Sequence, residues 1–181
     1  MSDQVSAYEV LQRLAKRSLS HAQQLPSQID TVEQWSGIGF SLLGFHFVIP
    51  MDELTEMLEI PAHTRLPGVH PWIKGVSNVR GRLLPLFDLA AFYAGSLSGH
   101  KKNQRLLVLD NASIYAGLWV DQVFGRQYFD AETEMTLKDT SLPEGMRECV
   151  HSYYESDGTR WLVFSAKALC EDSRFLNVAV N

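Results

Sequence analysis

The side chains with the most potential for chemistry in this sequence are its histidines and its closely spaced carboxylates. None of the histidines belongs to an HxH, HExxH or mixed Cys/His array with metal-ligand spacing. The histidines are His21, His46, His63, His70, His100 and His151. The carboxylate pairs Glu53/Glu56 and Glu132/Glu134 nominate no general acid and base, because geometry and pKa decide that role. The glycines of GIGFSLLG form no phosphate-binding loop, and no GxSxG motif occurs. We therefore expect no catalytic residue, no metal site and no cofactor.

Charge and cysteine content narrow the class of protein further. The chain has 16 Lys and Arg against 21 Asp and Glu, a net charge of −5, which disfavours binding to a phosphate backbone. Cys149 and Cys170 form no CxxC motif, so two free thiols in a reducing cytoplasm are the simplest interpretation. The first residues do not resemble a secretory signal, and no segment is long and apolar enough to span a bilayer. We expect a cytoplasmic protein without direct membrane insertion.

An amphipathic helix is predicted for residues 5–25. Apolar side chains recur there at three- to five-residue steps, and Pro26 ends the pattern. Such a stripe is equally compatible with packing on the body of the protein and with binding a partner. We assign residues 1–35 to this helical extension and its linker.

After Trp35 the chain consists of short apolar segments typical of strands. They are GIGFSL, GFHFVI, GVSNV, RLLPLF, RLLVLD, IYAGLWV, VFGRQYF, CVHSYY and RWLVFS. Hairpin turns are predicted at Leu43-Gly44 and Asp157-Gly158, and a tight turn at Asn111-Ala112-Ser113. Many short strands at this spacing predict barrels or a sandwich.

Two short helices and a polar loop interrupt the strands. Asp88 can cap LAAFYA, with Gly95 ending it, and Ser165 can cap AKALCED. The polar loop over 96–104 divides the β region into halves of similar length. We therefore expect a domain over 36–178 with two β subdomains and a boundary near 96–104.

Residues 67–90 are the most informative segment. Asn78-Val79-Arg80-Gly81 can form a tight turn, because Asn and Gly tolerate the left-handed backbone region. Pro85 cannot donate a ladder hydrogen bond, so its strand is predicted at a sheet edge or a bulge. An edge strand is a natural docking surface for another sheet protein.

The string KGVSNVRGRLLPLFDL resembles the signature of the CheW family of chemosensory coupling proteins, roughly KGxxNxRGxxxPxxDL. The resemblance covers residues 36–172, through FVIPMDELTEMLEI, IYAGLWVDQVFG and WLVFSAKALC. The N-terminal extension and WSGIGF are similar to the pilus-associated branch of the family, which serves the chemosensory system of type IV pili and twitching motility. The resemblance implies an all-β fold of two five-stranded SH3-like barrels that share an apolar seam.

The resemblance also implies two protein partners and no enzymatic activity. A CheA-type histidine kinase would bind through its own CheW-like regulatory domain at the first subdomain. The matched kinase-binding positions are Leu54, Gly75, Val76 and Asn78. A side chain at 75 could hold the partner backbone away, although an ordinary strand glycine fits equally well. Recruitment by this route would place the protein at membrane receptor arrays.

The signature arginine and glutamate are expected to form an ion pair. Arg80 and Glu56 match these family positions, and Gly81 completes the turn. An arginine fork can hold a carboxylate by two parallel hydrogen bonds, which would fix the orientation of the turn. Without the resemblance, a solvated arginine would be the simpler interpretation.

A groove between the barrels is where the resemblance places the second partner, the helical hairpin tip of a methyl-accepting chemoreceptor. The matched residues are Val120, Asp121, Val123 and Phe124. Strand alternation sends half of such residues into the core, so only some are expected to contact the receptor.

Two other interpretations remain open from the residues alone. A small β-barrel could bind nucleic acid through a basic stripe formed by Lys74, Arg80, Arg82, Lys101, Lys102 and Arg105. The net charge and the lack of an aromatic–basic alternating face weigh against it. A fragment of the kinase is the third interpretation, but the chain has no nucleotide-binding glycine box.

Overall fold

The computed structural model of the chain describes residues 34–111, 114–138 and 141–180, together with Tyr8, Leu11, Gln12 and Lys16. The chain forms two compact units, Met1–Val32 and Glu33–Asn181. In the first unit the four described residues are helical, and the Gln12 side-chain amide donates to the Tyr8 hydroxyl at 3.2 Å. The remainder of the predicted helix over 5–25, its end at Pro26 and residues 27–33 of the linker lie outside the described residues. Gln34 and Trp35, which were assigned to the linker, instead begin the first strand.

The second unit is built mainly from strands, as predicted. The strands are β1 (Gln34–Leu42), β2 (Phe45–Pro50), β3 (Glu56–Leu58), β4 (Ile73–Val79), β5 (Arg82–Asp88), β6 (Arg105–Asp110), β7 (Tyr115–Val120), β8 (Gln122–Asp130), β9 (Met135–Thr136), β10 (Val150–Ser156) and β11 (Thr159–Phe164). Every predicted strand is present, and β3 and β9 are additional. Both are short, so neither produces a visible alternation of apolar and polar residues.

Two sheets account for the predicted pair of β subdomains. One sheet has six strands in the order β8-β1-β2-β11-β10-β9, and the other has five in the order β3-β6-β7-β5-β4. The first sheet exceeds the expected five strands by the two-residue β9. The fold class is therefore confirmed.

The expected boundary near 96–104 does not separate the two sheets. That loop leads from β5 to β6, which both belong to the five-stranded sheet. The six-stranded sheet instead combines β1 and β2 with strands from the C-terminal half, through the parallel pairing of β2 with β11. Strand texture could not reveal this crossover, because β2 and β11 are far apart in sequence.

The hairpin turns follow the dipeptides in the sequence. Leu43 and Gly44 have φ values of 53° and 84°, and Asp157 and Gly158 have 50° and 73°. Positive φ at both central residues gives the turn whose twist matches that of the flanking strands. Both predicted hairpins are thus confirmed, whereas Ala112 and Ser113 of the third predicted turn lie outside the described residues.

The short helices are α1 (Leu89–Phe92), α2 (Ala166–Glu171) and α3 (Ser173–Leu176), with 3₁₀ turns at Met51–Glu53, Ala131–Thr133 and Met146–Cys149. The Asp88 carboxylate accepts the Ala91 N–H at 2.9 Å, and the Ser165 hydroxyl accepts the Ala168 N–H at 3.1 Å, as predicted. The left-handed residue after α1 is Ala94, with φ 58°, and not Gly95.

The apolar core lies between the two sheets. Its largest cluster combines residues of the six-stranded sheet, such as Phe40 and Phe47, with Leu107 and Leu118 of the five-stranded sheet. Each of these four side chains is fully buried, and burying a residue of this kind stabilises a fold by about 1.5–3 kcal/mol. The shared apolar seam expected from the sequence is therefore present. It joins the surfaces of both sheets into one body.

Pro85 was predicted at a sheet edge or a bulge: it does not lie on an edge strand, but the β4–β5 pairing shifts register next to it, between Ile73 and Gly75. Its strand, β5, lies between β4 and β7. The opposite residue, Val76, exchanges both backbone hydrogen bonds with Thr64, so Pro85 faces a position where no bond to β4 is formed. On its other side, the pairing with β7 begins one residue later, at Leu86. The missing N–H is therefore tolerated inside the sheet.

Candidate functional site

The β4–β5 hairpin carries most of the residues that the family signature singles out. Arg80 and Gly81 are the central turn residues, with φ values of 51° and 83°. Asn78 remains in β4, and its side-chain oxygen accepts the Gly81 N–H at 2.9 Å. The predicted turn is present, but asparagine stabilises it through its side chain and not by adopting the left-handed region.

The predicted ion pair between Arg80 and Glu56 is present. The Arg80 Nη2 and Glu56 Oε2 atoms lie 2.7 Å apart. The Glu56 side chain is 19% exposed and the Arg80 side chain 77%. Glu56 begins β3, at one edge of the five-stranded sheet, whereas Arg80 follows β4 at the other edge. The pair therefore connects the two edges of the sheet.

Gly75 is required by a contact within the chain and not by an open surface. It is buried, its φ is 133°, and a Cβ atom there would lie 2.0 Å from the Thr64 carbonyl oxygen. The Thr64 strand segment is held against β4 by two backbone bonds to Val76, each 2.9 Å long. The backbone that approaches Gly75 is therefore the chain's own. The fold itself requires glycine at this position, whether or not a partner binds there.

The four matched kinase-binding positions differ in accessibility. Leu54 is partly buried against the main core, Gly75 is buried, Val76 is half-buried and Asn78 is exposed. Leu83 lies directly opposite Asn78 in the β4–β5 register and is 68% exposed. Leu83 was not among the predicted site residues, because the continuous apolar run RLLPLF predicts buried side chains.

The proposed receptor residues also separate into buried and exposed members. Val120 is fully buried in the main core, and Asp121 is 6% exposed. The Asp121 carboxylate accepts the N–H groups of Leu43, at 3.1 Å, and of Ser98. This aspartate therefore ties the β1–β2 turn to the loop after α1. Its side chain is engaged in structure and is not free for a partner.

Phe124 is the member of this group that reaches the surface. The pairing of β8 with β1 shifts between Gly39 and Phe40, so Phe124 is an extra, unpaired residue between Val123 and Gly125. The bulge leaves Phe124 38% exposed, whereas Val123 packs partly buried against the main core.

An aromatic ledge surrounds Phe124. We give this name to His46, Phe124 and Trp161, whose rings contact one another with centroids 5.2–5.6 Å apart. Trp161 lies directly over Gly39, where a Cβ atom would be 2.7 Å from the indole ring. His46 was expected to be a packed or surface histidine, and it forms part of this apolar surface. Trp161 is only 8% exposed, so Phe124 supplies most of the accessible apolar area of the ledge.

Three of the six residues in the proposed basic stripe are neutralised by carboxylates. The Lys74 ammonium lies 2.8 Å from the Asp88 carboxylate, and Arg80 is paired with Glu56. Arg82 binds the Asp110 carboxylate at 2.5 Å and 3.2 Å, and this hydrogen bonding raises the pKa of Arg82 and lowers that of Asp110. A continuous row of free cations, as nucleic-acid binding requires, is not formed by these residues.

The described residues offer little for covalent or metal chemistry. Burial raises the pKa of the Cys170 thiol to about 11 and also raises that of Cys149, so both thiols remain protonated at neutral pH. Within the described part of the chain, no three His, Cys, Asp or Glu side chains are placed to hold a metal ion. None of the described helices combines the length and hydrophobicity needed to cross a bilayer.

The family model of the CheW-like domain matches residues 36–174, which is most of the chain. The chain belongs to the CheW-like family. This confirms the resemblance found in the signature of β4, β5 and the start of α1.

Relatives and a solved structure extend this assignment. Protein PilI of Pseudomonas aeruginosa is 42% identical over 180 residues, which cover 99% of this chain and 100% of PilI. The chemotaxis protein CheW of Helicobacter pylori is 28% identical over 96 residues, or 53% of this chain and 58% of that protein. The scaffolding protein TtCheW of Thermoanaerobacter tengcongensis has a similar fold, with a TM-score of 0.67 at 20% identity. That likeness covers 77% of this chain and 94% of TtCheW.

Proposed function

We propose that this protein is a non-enzymatic adaptor that couples a methyl-accepting chemoreceptor to a CheA-type histidine kinase. The observation that carries the proposal is the 42% identity with PilI over nearly the full length of both chains, within the CheW-like family. The same relationship supports a role in the chemosensory pathway of type IV pili and twitching motility. The protein would act in the cytoplasm, at receptor arrays.

We place the kinase on the β4–β5 hairpin of the five-stranded sheet. Asn78 and Leu83 form an exposed cross-strand pair there, and Val76 is half-buried beside them. The Leu83 side chain is 68% exposed. A partner that covered it would remove a large apolar area from water, which contributes favourably to the binding free energy. Leu54 and Gly75, the other two matched positions, are partly and fully buried, so they are less accessible to the kinase than Asn78 and Leu83.

The chemoreceptor is placed at the aromatic ledge of the six-stranded sheet. A receptor helix presents a narrow apolar stripe, and an exposed aromatic group is the kind of residue that anchors such a stripe. Phe124 supplies the anchor, while Val120, Asp121 and Val123 hold the strand and bulge that position it.

These two surfaces belong to different sheets of one body, so both partners can bind together. Information would pass through contact alone: a change in the receptor biases the arrangement of the kinase by differential binding to the adaptor. Such coupling needs two distinct sites and two states with different contacts.

Co-sedimentation tests the proposal. Receptor-containing nanodiscs are mixed with the kinase, with and without this protein, and the pellet is assayed for kinase. We expect the kinase to sediment at high yield only when this protein is present, since it bridges the two. Equal sedimentation without it would contradict an adaptor role.

A further inference from the structure

The exposed segment Asn177–Val180 forms an isolated antiparallel β-bridge after the last strand. It pairs antiparallel with residues 68–70: the His70 N–H donates to the Val178 carbonyl at 3.2 Å, and the Val180 N–H donates to the Gly68 carbonyl at 3.0 Å. Val178 and Val180 are 45% and 53% exposed. Exposed β-branched residues, on an edge that no described strand covers, are features of a site that accepts a further strand.

The polar backbone of Ala179 faces outward from this edge. Ala179 lies opposite Val69, and the two bonds that flank this pair come from the neighbouring residues. In an antiparallel ladder, the residues of such a pair point their own N–H and C=O groups away from each other. Among the described residues, no backbone group accepts from or donates to Ala179. One donor and one acceptor are therefore presented to an incoming strand.

The sequence of this segment indicates that its partner is a second copy of the same chain. Asn177-Val178-Ala179-Val180-Asn181 reads identically in both directions. In an antiparallel pair centred on Ala179, Val178 of one copy faces Val180 of the other, and each Ala179 donates to and accepts from its counterpart. A two-fold contact pairs residue i with j and j with i, and here both flanking pairs place valine against valine, a favourable cross-strand combination.

We propose that the edge Asn177–Val180 is a self-association surface that joins two copies of this chain through an antiparallel strand pair about Ala179. The pair is short, so the dimer is weak. The surface lies apart from the β4–β5 hairpin and the aromatic ledge in sequence, and it does not depend on the proposed function.

Ala179→Pro tests the backbone pairing. Proline removes the outward N–H, whereas the Val180 N–H that holds the segment to Gly68 is retained. Sedimentation velocity is measured from about 10 µM to about 1 mM, the range of a weak interface. We expect the wild-type protein to dimerise with increasing concentration, and Ala179→Pro to raise the dimer Kd at least about tenfold.

Two charged double variants test the register and remain informative if proline disturbs the segment. In Val178→Lys/Val180→Lys, lysine faces lysine in both symmetry-related pairs, so the protein should remain monomeric. In Val178→Lys/Val180→Glu, each lysine faces a glutamate, so dimerisation should return and weaken with added salt. A wild-type protein that stays monomeric throughout, unchanged association of Ala179→Pro, or identical behaviour of the two double variants would each overturn the proposal. Kinase and receptor binding should be unaffected, which separates this result from the adaptor function.

Discussion

Arg80 and Glu56 form an ion pair, with 2.7 Å between their nearest atoms, across the two edges of the five-stranded sheet. Arg80 occupies the left-handed backbone region, with φ 51°, which is unfavourable for a residue with a side chain. The contact with Glu56, worth up to about 1 kcal/mol, offsets part of this cost. The pair thus fixes the hairpin that presents Asn78 and Leu83.

The coupling between these two residues is measurable in a double-mutant cycle. Glu56→Ala, Arg80→Ala and the double variant are unfolded in urea, and the free energies of unfolding are compared. Because Glu56 is largely shielded from solvent while Arg80 is not, we expect a coupling free energy of about 1 kcal/mol. A coupling of zero would show that the pair does not stabilise the hairpin.

Arg80→Gly is the matched control for backbone strain. Both Arg80→Ala and Arg80→Gly remove the guanidinium group, but only glycine adopts a positive φ without a steric cost. We expect Arg80→Gly to be the more stable of the two variants. If Arg80→Ala were instead the more stable, the left-handed turn would not carry the cost described.

The local features of this fold followed from the sequence, whereas the long-range ones did not. Asp157-Gly158 and the caps at Asp88 and Ser165 depend on neighbouring residues, so their chemistry is visible in the sequence. The pairing of β2 with β11 and the contact of Gly75 with Thr64 join residues distant in the chain. No periodicity encodes such contacts, and this is why the sequence did not reveal the pairing that joins the six-stranded sheet or the contact of Gly75 with Thr64.

The same limit applies to the candidate site. Glu56 and Arg80 were found through the family signature, although they lie on different strands. Leu83 and Val120 are both apolar residues in strands, but the first is 68% exposed and the second is fully buried. Their difference arises from the packing of the sheets, which the sequence pattern does not report.

Gly75→Ala is expected to destabilise the protein strongly. The new Cβ would overlap the Thr64 carbonyl oxygen, a backbone atom that two hydrogen bonds hold in place. We expect a loss of about 3 kcal/mol or more in the free energy of unfolding, as for an overpacked core. Urea denaturation at equilibrium measures this loss.

Gly81→Ala is the control for the glycine prediction. Gly81 also has a positive φ, but a Cβ atom there meets nothing within 4 Å. Its cost should be limited to the conformational term of about 1–2 kcal/mol. Similar losses in the two variants would show that the close approach of Thr64 is unimportant.

Acid stability is expected to depend on Asp172. Hydrogen bonding from the Arg174 side chain holds the pKa of the Asp172 carboxyl below its ordinary value of 3.8. A carboxyl whose pKa is depressed on folding stabilises the protein above its unfolded pKa, and this contribution is lost as the pH falls through the folded pKa. Asp172→Asn retains an acceptor for the N-terminus of α3 while removing the charge.

The unfolding free energies of wild type and Asp172→Asn are therefore compared as a function of pH. The wild-type advantage should be constant above about pH 5 and should shrink as the pH falls towards about 2, because both proteins are then neutral at this position. A difference that does not change with pH would rule out the ion pair as its source.

Two single substitutions should separate the two proposed binding surfaces. Leu83 is 68% exposed on the β4–β5 hairpin, and Phe124 is 38% exposed on the aromatic ledge. Leu83→Ser should leave the melting temperature nearly unchanged, and Phe124→Ala should lower it slightly through the lost contact with Trp161. Thermal unfolding of both variants shows whether they are folded before binding is compared.

The most direct test is calorimetric titration of wild type, Leu83→Ser and Phe124→Ala with the kinase regulatory domain and, separately, with the receptor hairpin tip. We expect Leu83→Ser to weaken kinase binding at least about tenfold, or about 1.4 kcal/mol, and to leave receptor binding intact. Phe124→Ala should show the reverse. An adaptor with two separate surfaces would be contradicted if either variant lost binding to both partners. It would also be contradicted if both variants kept full binding to both partners.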